Sequence, residues 1–164
     1  MTVDPAIRLA HVGDAAEIAA MSREAIEQGL PWTWRPARVL KAIRSRDTNV
    51  AVVRTHGALI AFGIMEYLES DAYLALLAVD VEYRRRGIGS SVLQWLEASA
   101  SVAGAQRVRL ETRRDNAAAR TFYNEHGYHE TVIHRARYGE TVDGIRLEKW
   151  LRPAMRPAPG GPGT

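Results

Sequence analysis

Arginine and glycine residues near the middle of the chain have the types and spacing of a phosphate-binding loop. An apolar run at residues 73–79 predicts a buried strand, and Val92, Leu93 and Leu96 predict one face of a helix that follows. Between them, backbone N–H groups at a helix N-terminus, glycines that permit close approach and arginine charges would suit a phosphorylated ligand. The predicted loop consists of Arg84, Arg85, Arg86, Gly87, Ile88, Gly89 and Ser90.

Two other kinds of phosphate loop do not fit this stretch. A Walker loop needs lysine after its last glycine, but Ser90 follows Gly89. A dinucleotide fingerprint needs a third glycine where Val92 stands, and it follows the first strand of its fold rather than a strand in mid-chain. The short motif alone leaves open a structural turn whose arginines are merely solvated.

Two segments resemble the GNAT acetyltransferase superfamily. The loop has that superfamily's pattern Arg/Gln-x-x-Gly-x-Gly/Ala, beginning at Arg84. Residues 109–128 are similar to the pattern Leu-Glu-Val-Arg-x-x-Asn-x-x-Ala-x-x-x-Tyr-x-x-x-Gly-Phe/Tyr of the bacterial ribosomal-protein alanine N-acetyltransferase type, with Thr112 where valine is common. The resemblance covers nearly the whole predicted domain.

The resemblance implies acetyl-CoA as co-substrate, no metal, and a role for each matching residue. Glu111 would be the general base and Tyr123 the general acid, while Asn116 would contact the cofactor. The strand residues Leu77, Ala78 and Val79 would hold the pantetheine arm through their backbone. The pyrophosphate would lie on the loop formed by Arg84, Arg85, Arg86, Gly87, Ile88, Gly89 and Ser90.

These residue types suit direct acetyl transfer to an amine. A partly desolvated carboxylate can accept the proton of the amine, directly or through water, and a phenol can protonate the departing thiolate. Each residue also has a structural alternative. Glu111 could pair with Arg109 or Arg113, Tyr123 could pack its helix against the sheet, and Asn116 could cap that helix.

Residues on the acceptor side are less clearly marked. Trp32 lies in a Pro-Trp-Thr loop that resembles the acceptor-site loop of the same enzymes, and Trp34 lies two residues further on. The alternative is that both indoles only cover the core. Tyr138 lies where the family has an aromatic pair, which here is Arg137-Tyr138, and this departure leaves the acceptor open. Three histidines do not have metal-ligand spacing, and structural or surface roles are expected for His126, His129 and His134.

The composition is typical of an ordinary globular protein. Of the 164 residues, 46% are hydrophobic and 25% are charged, and the net charge is +3. The absence of cysteine excludes disulfides and thiol catalysis. Without a signal-peptide pattern, a membrane-length apolar run or a nucleic-acid motif, we expect a cytoplasmic protein that binds neither membrane nor nucleic acid.

The elements that must position these residues alternate along the chain as β-α-α-β-β-β-α-β-α-β-β. Asp14 is predicted to cap the first helix, with Glu17 completing a capping box, and Pro36 to begin the second. The predicted fold is α/β, a GNAT-type mixed central sheet of about seven strands flanked by about four helices. We expect the domain at residues 5–152 and a disordered Pro/Gly-rich tail at residues 153–164.

The sequence therefore predicts an N-acetyltransferase that moves an acetyl group from acetyl-CoA to a primary amine. The leading acceptor is a protein N-terminal amine. A small-molecule amine is the first alternative, and a catalytically silent acetyl-CoA-binding module is the second. Many members of the superfamily form dimers, so a homodimer is left open, although no segment identifies an interface.

Overall fold

The computed structural model describes residues 6–135 and 142–151 and confirms the predicted order of elements. Both limits of the predicted domain and its tail lie outside the described residues. Two short 3-10 turns accompany the main elements, at Val12–Asp14 and Val81–Tyr83. The strands are β1 (Ile7–Leu9), β2 (Thr48–Thr55), β3 (Ala58–Tyr67), β4 (Asp71–Val79), β5 (Arg107–Arg113), β6 (His129–His134) and β7 (Gly144–Trp150). The helices are α1 (Ala15–Ala25), α2 (Pro36–Arg44), α3 (Ile88–Val102) and α4 (Ala117–Glu125).

The seven strands form one mixed sheet in the order β1-β2-β3-β4-β5-β7-β6. Every neighbouring pair is antiparallel except β4 and β5, which are parallel. These two strands pair only at their beginnings, where residues 71–73 of β4 meet residues 107–109 of β5. The sheet therefore opens in its middle, between the carboxyl-terminal parts of β4 and β5.

Helices cover the two faces of the sheet unequally. On one face, α1 and α2 pack against β2, β3 and β4, with Ile18, Val39 and Phe62 fully buried among them. On the other face, α3 and α4 pack over β3, β4, β5 and β7, and Leu93 and Leu96 are fully buried there. Apolar burial on both faces stabilises the β2–β4 part of the sheet.

The N-cap position of α1 is confirmed, but the predicted capping hydrogen bonds are wrong. Asp14 is the N-cap residue, but its side chain makes no capping hydrogen bond. Its carboxylate instead accepts a hydrogen bond from the His11 backbone N–H at 2.7 Å and pairs with Arg8 at 3.0 Å and Arg54 at 2.7 Å. Glu17 also pairs with Arg54, so two guanidinium partners draw both carboxylates away from the helix end.

Candidate active site

The opening between β4 and β5 exposes one edge of β4. On its other edge, residues 74–79 pair with β3. Backbone N–H and C=O groups alternate between the two sides of a strand, so about half of those in this segment point into the opening. The residues predicted to hold the pantetheine arm, Leu77, Ala78 and Val79, lie in this segment.

At the end of β4 the chain forms a turn with two left-handed residues, Arg85 (φ +64°) and Gly87 (φ +78°). Turns of this kind direct backbone N–H groups toward a shared concavity. Gly87 is the N-cap of α3 and has no side chain that could cap the N–H groups of the first helical turn. Those donors therefore have no side-chain cap at the end of the helix where a backbone anion site can form.

The three arginines of the turn are exposed and differ in their contacts. Arg84 donates from Nε to the carbonyl oxygen of Val79 at 3.1 Å, which brings its guanidinium back to the end of β4. Arg86 lies over the ring of Tyr83, 5.2 Å from its centroid. The side chain of Ile88 is buried, so only its backbone can serve an anion.

Ser90 is joined to the end of α4 by His126. The His126 Nδ1 lies 2.6 Å from the carbonyl oxygen of Phe122, and its Nε2 lies 2.8 Å from the Ser90 Oγ. Because a carbonyl can only accept, Nδ1 must carry the proton and a neutral ring accepts from the serine hydroxyl. His126 therefore has a structural role, as predicted, and it fixes the Ser90 hydroxyl at the beginning of α3.

Glu111 lies on the sheet face that α3 and α4 do not cover. Alternation along β5 turns Leu110 and Thr112 into the opposite core, and the Glu111 side chain is only 4% exposed. Its Oε1 lies 2.9 Å from Nδ1 of His134 and 3.4 Å from a terminal nitrogen of Arg146. Sequence reasoning missed both partners, because β6 and β7 bring them to β5 only through the sheet order.

The arginines that the sequence offered as partners of Glu111 have other carboxylates. Arg109 contacts Glu148 at 3.0 Å, and Arg113 contacts Asp115 at 3.2 Å. Glu111 is thus a desolvated carboxylate with an imidazole within hydrogen-bonding distance, which is an arrangement that can move a proton.

Tyr123 lies on the other face of the sheet, in the core beneath α4. Its ring makes edge contacts with Phe122 and Tyr128, at centroid distances of 5.1 Å and 5.5 Å. Burial raises the pKa of Tyr123, so the phenol keeps its proton at neutral pH. The packing interpretation is correct and is compatible with a proton-donating role. Tyr123 and Glu111 lie on opposite faces and are not in contact.

Tyr128, whose ring contacts that of Tyr123, differs from it because its hydroxyl has a carboxylate partner. Tyr128 donates to Oε2 of Glu97 at 2.9 Å, and Lys149 pairs with the same oxygen at 2.9 Å. No residue among 6–135 and 142–151 forms a hydrogen bond with the Tyr123 hydroxyl. Asn116 caps α4 by accepting from the Ala119 N–H at 3.1 Å, which confirms the capping interpretation.

The loop between α1 and α2 is organised by the buried carboxylate of Glu27. It accepts hydrogen bonds from the Thr33 hydroxyl at 2.6 Å, the Thr33 N–H at 2.8 Å and the Ser22 hydroxyl at 3.0 Å. Burial alone would raise the pKa of Glu27, but these hydrogen bonds hold it below its usual range. The loop is therefore fixed by one buried side chain.

The two tryptophans of this loop have different environments. Trp34 is 7% exposed and packs in the core between α1, α2 and the sheet, so the core interpretation applies to it. Trp32 is half-buried, lies between the guanidinium groups of Arg23 and Arg35, and donates to the carbonyl oxygen of Ala19 at 3.2 Å. Tyr138 lies outside the described residues.

Neither a metal centre nor a membrane span is found in the described part of the chain. Within residues 6–135 and 142–151, no three His, Asp or Glu side chains come together in a group that could hold a metal ion. No helix in the same ranges is long and apolar enough to cross a membrane.

Comparison with known proteins agrees with this geometry. Residues 17–128 match the sequence model described as "Acetyltransferase (GNAT) family". The [ribosomal protein bS18]-alanine N-acetyltransferase of Escherichia coli K12 is 36% identical over 89 residues, which make up 54% of this chain and 60% of that enzyme. Human N-alpha-acetyltransferase 30 is 35% identical over 80 residues, 49% of this chain and 22% of that protein.

A solved structure shows the same fold over almost its whole length. The PaiA N-acetyltransferase of Thermoplasma acidophilum, in complex with coenzyme A, has a TM-score of 0.76 and 21% sequence identity. The match covers 89% of this chain and 98% of that one. The likeness therefore extends well beyond the aligned sequence segments.

Proposed function

Because the chain belongs to the acetyltransferase (GNAT) family, we propose that it transfers an acetyl group from acetyl-CoA to a primary amine. The observation that carries this proposal is the opening between β4 and β5. It combines an unpaired β4 edge with the left-handed turn at Arg85 and Gly87 and with candidate proton-transfer groups on the two faces.

Acetyl-CoA fits this opening by the chemistry of its parts. Amides of a pantetheine arm can hydrogen-bond to the backbone of Leu77, Ala78 and Val79, as a further strand would. A pyrophosphate suits the N–H groups that begin α3 together with the exposed arginines, and Asn116 stays a predicted contact. The cofactor residues of the loop are Arg84, Arg85, Arg86, Gly87, Ile88, Gly89 and Ser90.

The chemistry is direct transfer. Bound acetyl-CoA supplies a thioester carbonyl that a neutral amine can attack. Backbone N–H groups of β4 that point into the opening can stabilise charge on the carbonyl oxygen. Glu111, with the groups hydrogen-bonded to it, provides the basic centre that removes the amine proton. Tyr123, protonated because it is buried, donates to the departing sulfur.

A protein N-terminal α-amine is the proposed acceptor, because the similar enzymes from E. coli and human are named for that reaction. Trp32, in the loop fixed by Glu27, and Tyr138 are the proposed acceptor-side residues, while Trp34 supports that loop from the core. A small-molecule amine is the second candidate, favoured by the departure from the family's aromatic pair at Arg137-Tyr138. Cytoplasmic residence and a homodimer stay predictions.

The test is a screen of N-terminal peptides and small amines, with acetyl-CoA and detection of free thiol. We expect thiol release that depends on the amine, and we expect Glu111→Gln and Tyr123→Phe to lower kcat without losing CoA binding. Glu130→Gln is the matched control, since Glu130 is an exposed carboxylate paired with Arg120 at 2.8 Å. Tight CoA binding with no thiol release on any amine would identify a silent binding module.

A further inference from the structure

We infer that His134 takes the proton from the acceptor amine and that Glu111 is a positioning residue that holds the imidazole. This inference rests on the proposed acetyl transfer and names the atom that acts as base. It follows from the contact between His134 Nδ1 and Glu111 Oε1 at 2.9 Å.

The contact fixes which ring nitrogen can accept a proton. A carboxylate oxygen only accepts hydrogen bonds, so the Nδ1 of His134 donates to Glu111. A neutral His134 then carries its free lone pair on Nε2. A carboxylate that orients an imidazole and stabilises its protonated form is the arrangement that makes histidine a general base in catalytic triads.

Exposure separates the roles of the two side chains. The side chain of Glu111 is 4% exposed, whereas that of His134 is 32% exposed. An incoming amine can therefore reach the imidazole more readily than the carboxylate. A buried carboxylate is better suited to hold its neighbour in one orientation than to meet a substrate from solvent.

The sheet explains how His134 reaches across a strand. His134 pairs with Gly144 of β7, and Gly144 pairs with Arg113 of β5. Because glycine has no side chain, the imidazole can pass over β7 toward Glu111. The charged groups that face it from the sheet are Glu111 and Arg113 on β5 and Arg146 on β7, with Arg113 paired to Asp115.

The proposed step is balanced in atoms and charge. The amine nitrogen forms a bond to the carbonyl carbon, and the carbon–sulfur bond breaks with its electron pair leaving on sulfur. The nitrogen loses one proton to Nε2 of His134, and the sulfur gains one from Tyr123. The imidazolium then releases its proton to solvent, from which Tyr123 is protonated again, so the products are the acetylated amine and CoA.

Rate measurements across pH test the assignment. We expect His134→Asn, which keeps an N–H donor near the Nδ1 position, to lower kcat by about 10²- to 10⁴-fold with CoA binding unchanged. It should also abolish the decrease in rate on acidification that an imidazole base gives wild type. His129→Asn, an exposed histidine of the same strand, is the matched control and should behave as wild type.

Glu111→Gln separates a base from a positioning residue. If Glu111 only holds His134, this variant keeps measurable turnover, and its rate still decreases on acidification because the imidazole is still the base. NMR of the histidine ring in the protein without ligand should show the Nδ1–H form of His134 in wild type and less of it in Glu111→Gln. Added imidazole should partly restore turnover to His134→Ala.

Two outcomes would overturn the inference. One is a His134→Asn enzyme with near wild-type kcat and the same decrease in rate on acidification, together with a Glu111→Gln enzyme that has lost this decrease. The other is an Nε2–H form of His134 in wild type. Both leave the proposed function intact, which would fail only if wild type acetylated no amine.

Discussion

The two halves of the sheet are built differently. Four successive residues are buried in β2 and seven in β3, because α1 and α2 cover one face of these strands and α3 covers the other. In β5 every second residue is buried, and the residues between them turn charged side chains to the face that α3 and α4 leave uncovered. The first pattern is typical of strands buried on both faces and the second of strands buried on one.

This difference separates stability from chemistry. An apolar layer on both faces leaves no room for a group that must exchange protons with substrate. A strand with one polar face can carry such groups while its other face holds it in the core. Glu111, His134 and Arg146 lie on the polar face of the β5–β7 half, next to the opening. Substitutions in the β2–β4 half should therefore change mainly stability, and substitutions at the polar face of the β5–β7 half should change mainly the chemistry.

The largest expected effect is on the stability of the apolar half. Phe62→Ala removes a fully buried ring and should lower the free energy of unfolding by about 3–5 kcal/mol. Val132→Ala, on the exposed face of β6, should cost less than about 0.5 kcal/mol. Urea denaturation measures both. Equal losses would contradict the difference between the halves.

Asp14 tests whether buried charge also supports the apolar half. Burial opposes ionisation, but Arg8, the His11 N–H and Arg54 together hold the pKa of Asp14 far below its usual range. Asp14→Asn should cost about 1–3 kcal/mol at neutral pH. A depressed pKa stabilises the fold fully above about pH 4 and less as pH falls, so the difference from wild type should shrink on acidification. A constant difference from pH ~7 to pH ~3 in urea denaturation would contradict this.

Tyr123→Phe should affect the chemistry and spare the fold. The hydroxyl has no hydrogen-bond partner among the described residues, so the free energy of unfolding should change by less than about 1 kcal/mol. Loss of the proton donor should lower kcat by about 10- to 100-fold, measured as thiol release. Since burial raises the pKa of Tyr123, ionisation of the phenol should not lower the wild-type rate below about pH 10. An unchanged kcat would contradict a catalytic role for Tyr123.

Gly87→Ala should combine a small loss of stability with weaker CoA binding, at the loop between the halves. A side chain at φ +78° is strained, so the variant should lose about 1 kcal/mol and bind CoA more weakly. Gly13→Ala, where a side chain meets no atom within 4 Å and φ is not left-handed, is the control and should stay within about 0.5 kcal/mol. Calorimetry with CoA measures the affinity, and equal affinities for the two variants would contradict the loop assignment.

Periodicity and turn signals were sufficient to predict the order of the elements, and the resemblance to the GNAT superfamily supplied the type of sheet. The apolar run at residues 73–79 became β4, and the glycine turn after it became the N-cap of α3, because both signals are local. The capping hydrogen bonds of Asp14 were wrongly predicted because Arg8 in β1 and Arg54 in β2 compete for its carboxylate. Local spacing could not include those partners.

The site residues that lie in one sequence segment could be predicted. Those that come together only through the strand order of the sheet could not. Glu111 and Tyr123 were found in a single motif, and their roles stay predictions. His134 was set aside because its spacing from other histidines fits no metal site. Its contact with Glu111 depends on β7 lying between β5 and β6 and on Gly144 leaving space, which no spacing rule contains.

The most direct test of acetyl transfer at the opening is mass spectrometry of an alanine-terminated peptide incubated with acetyl-CoA labelled in its acetyl group. Its lysine side chains would be blocked, so that only the α-amine can react. We predict labelled acetyl on the α-amine with equal release of CoA thiol in wild type, and a much slower appearance of both in Tyr123→Phe and His134→Asn while CoA still binds. Label on no peptide and on no small amine, with tight CoA binding, would contradict the account.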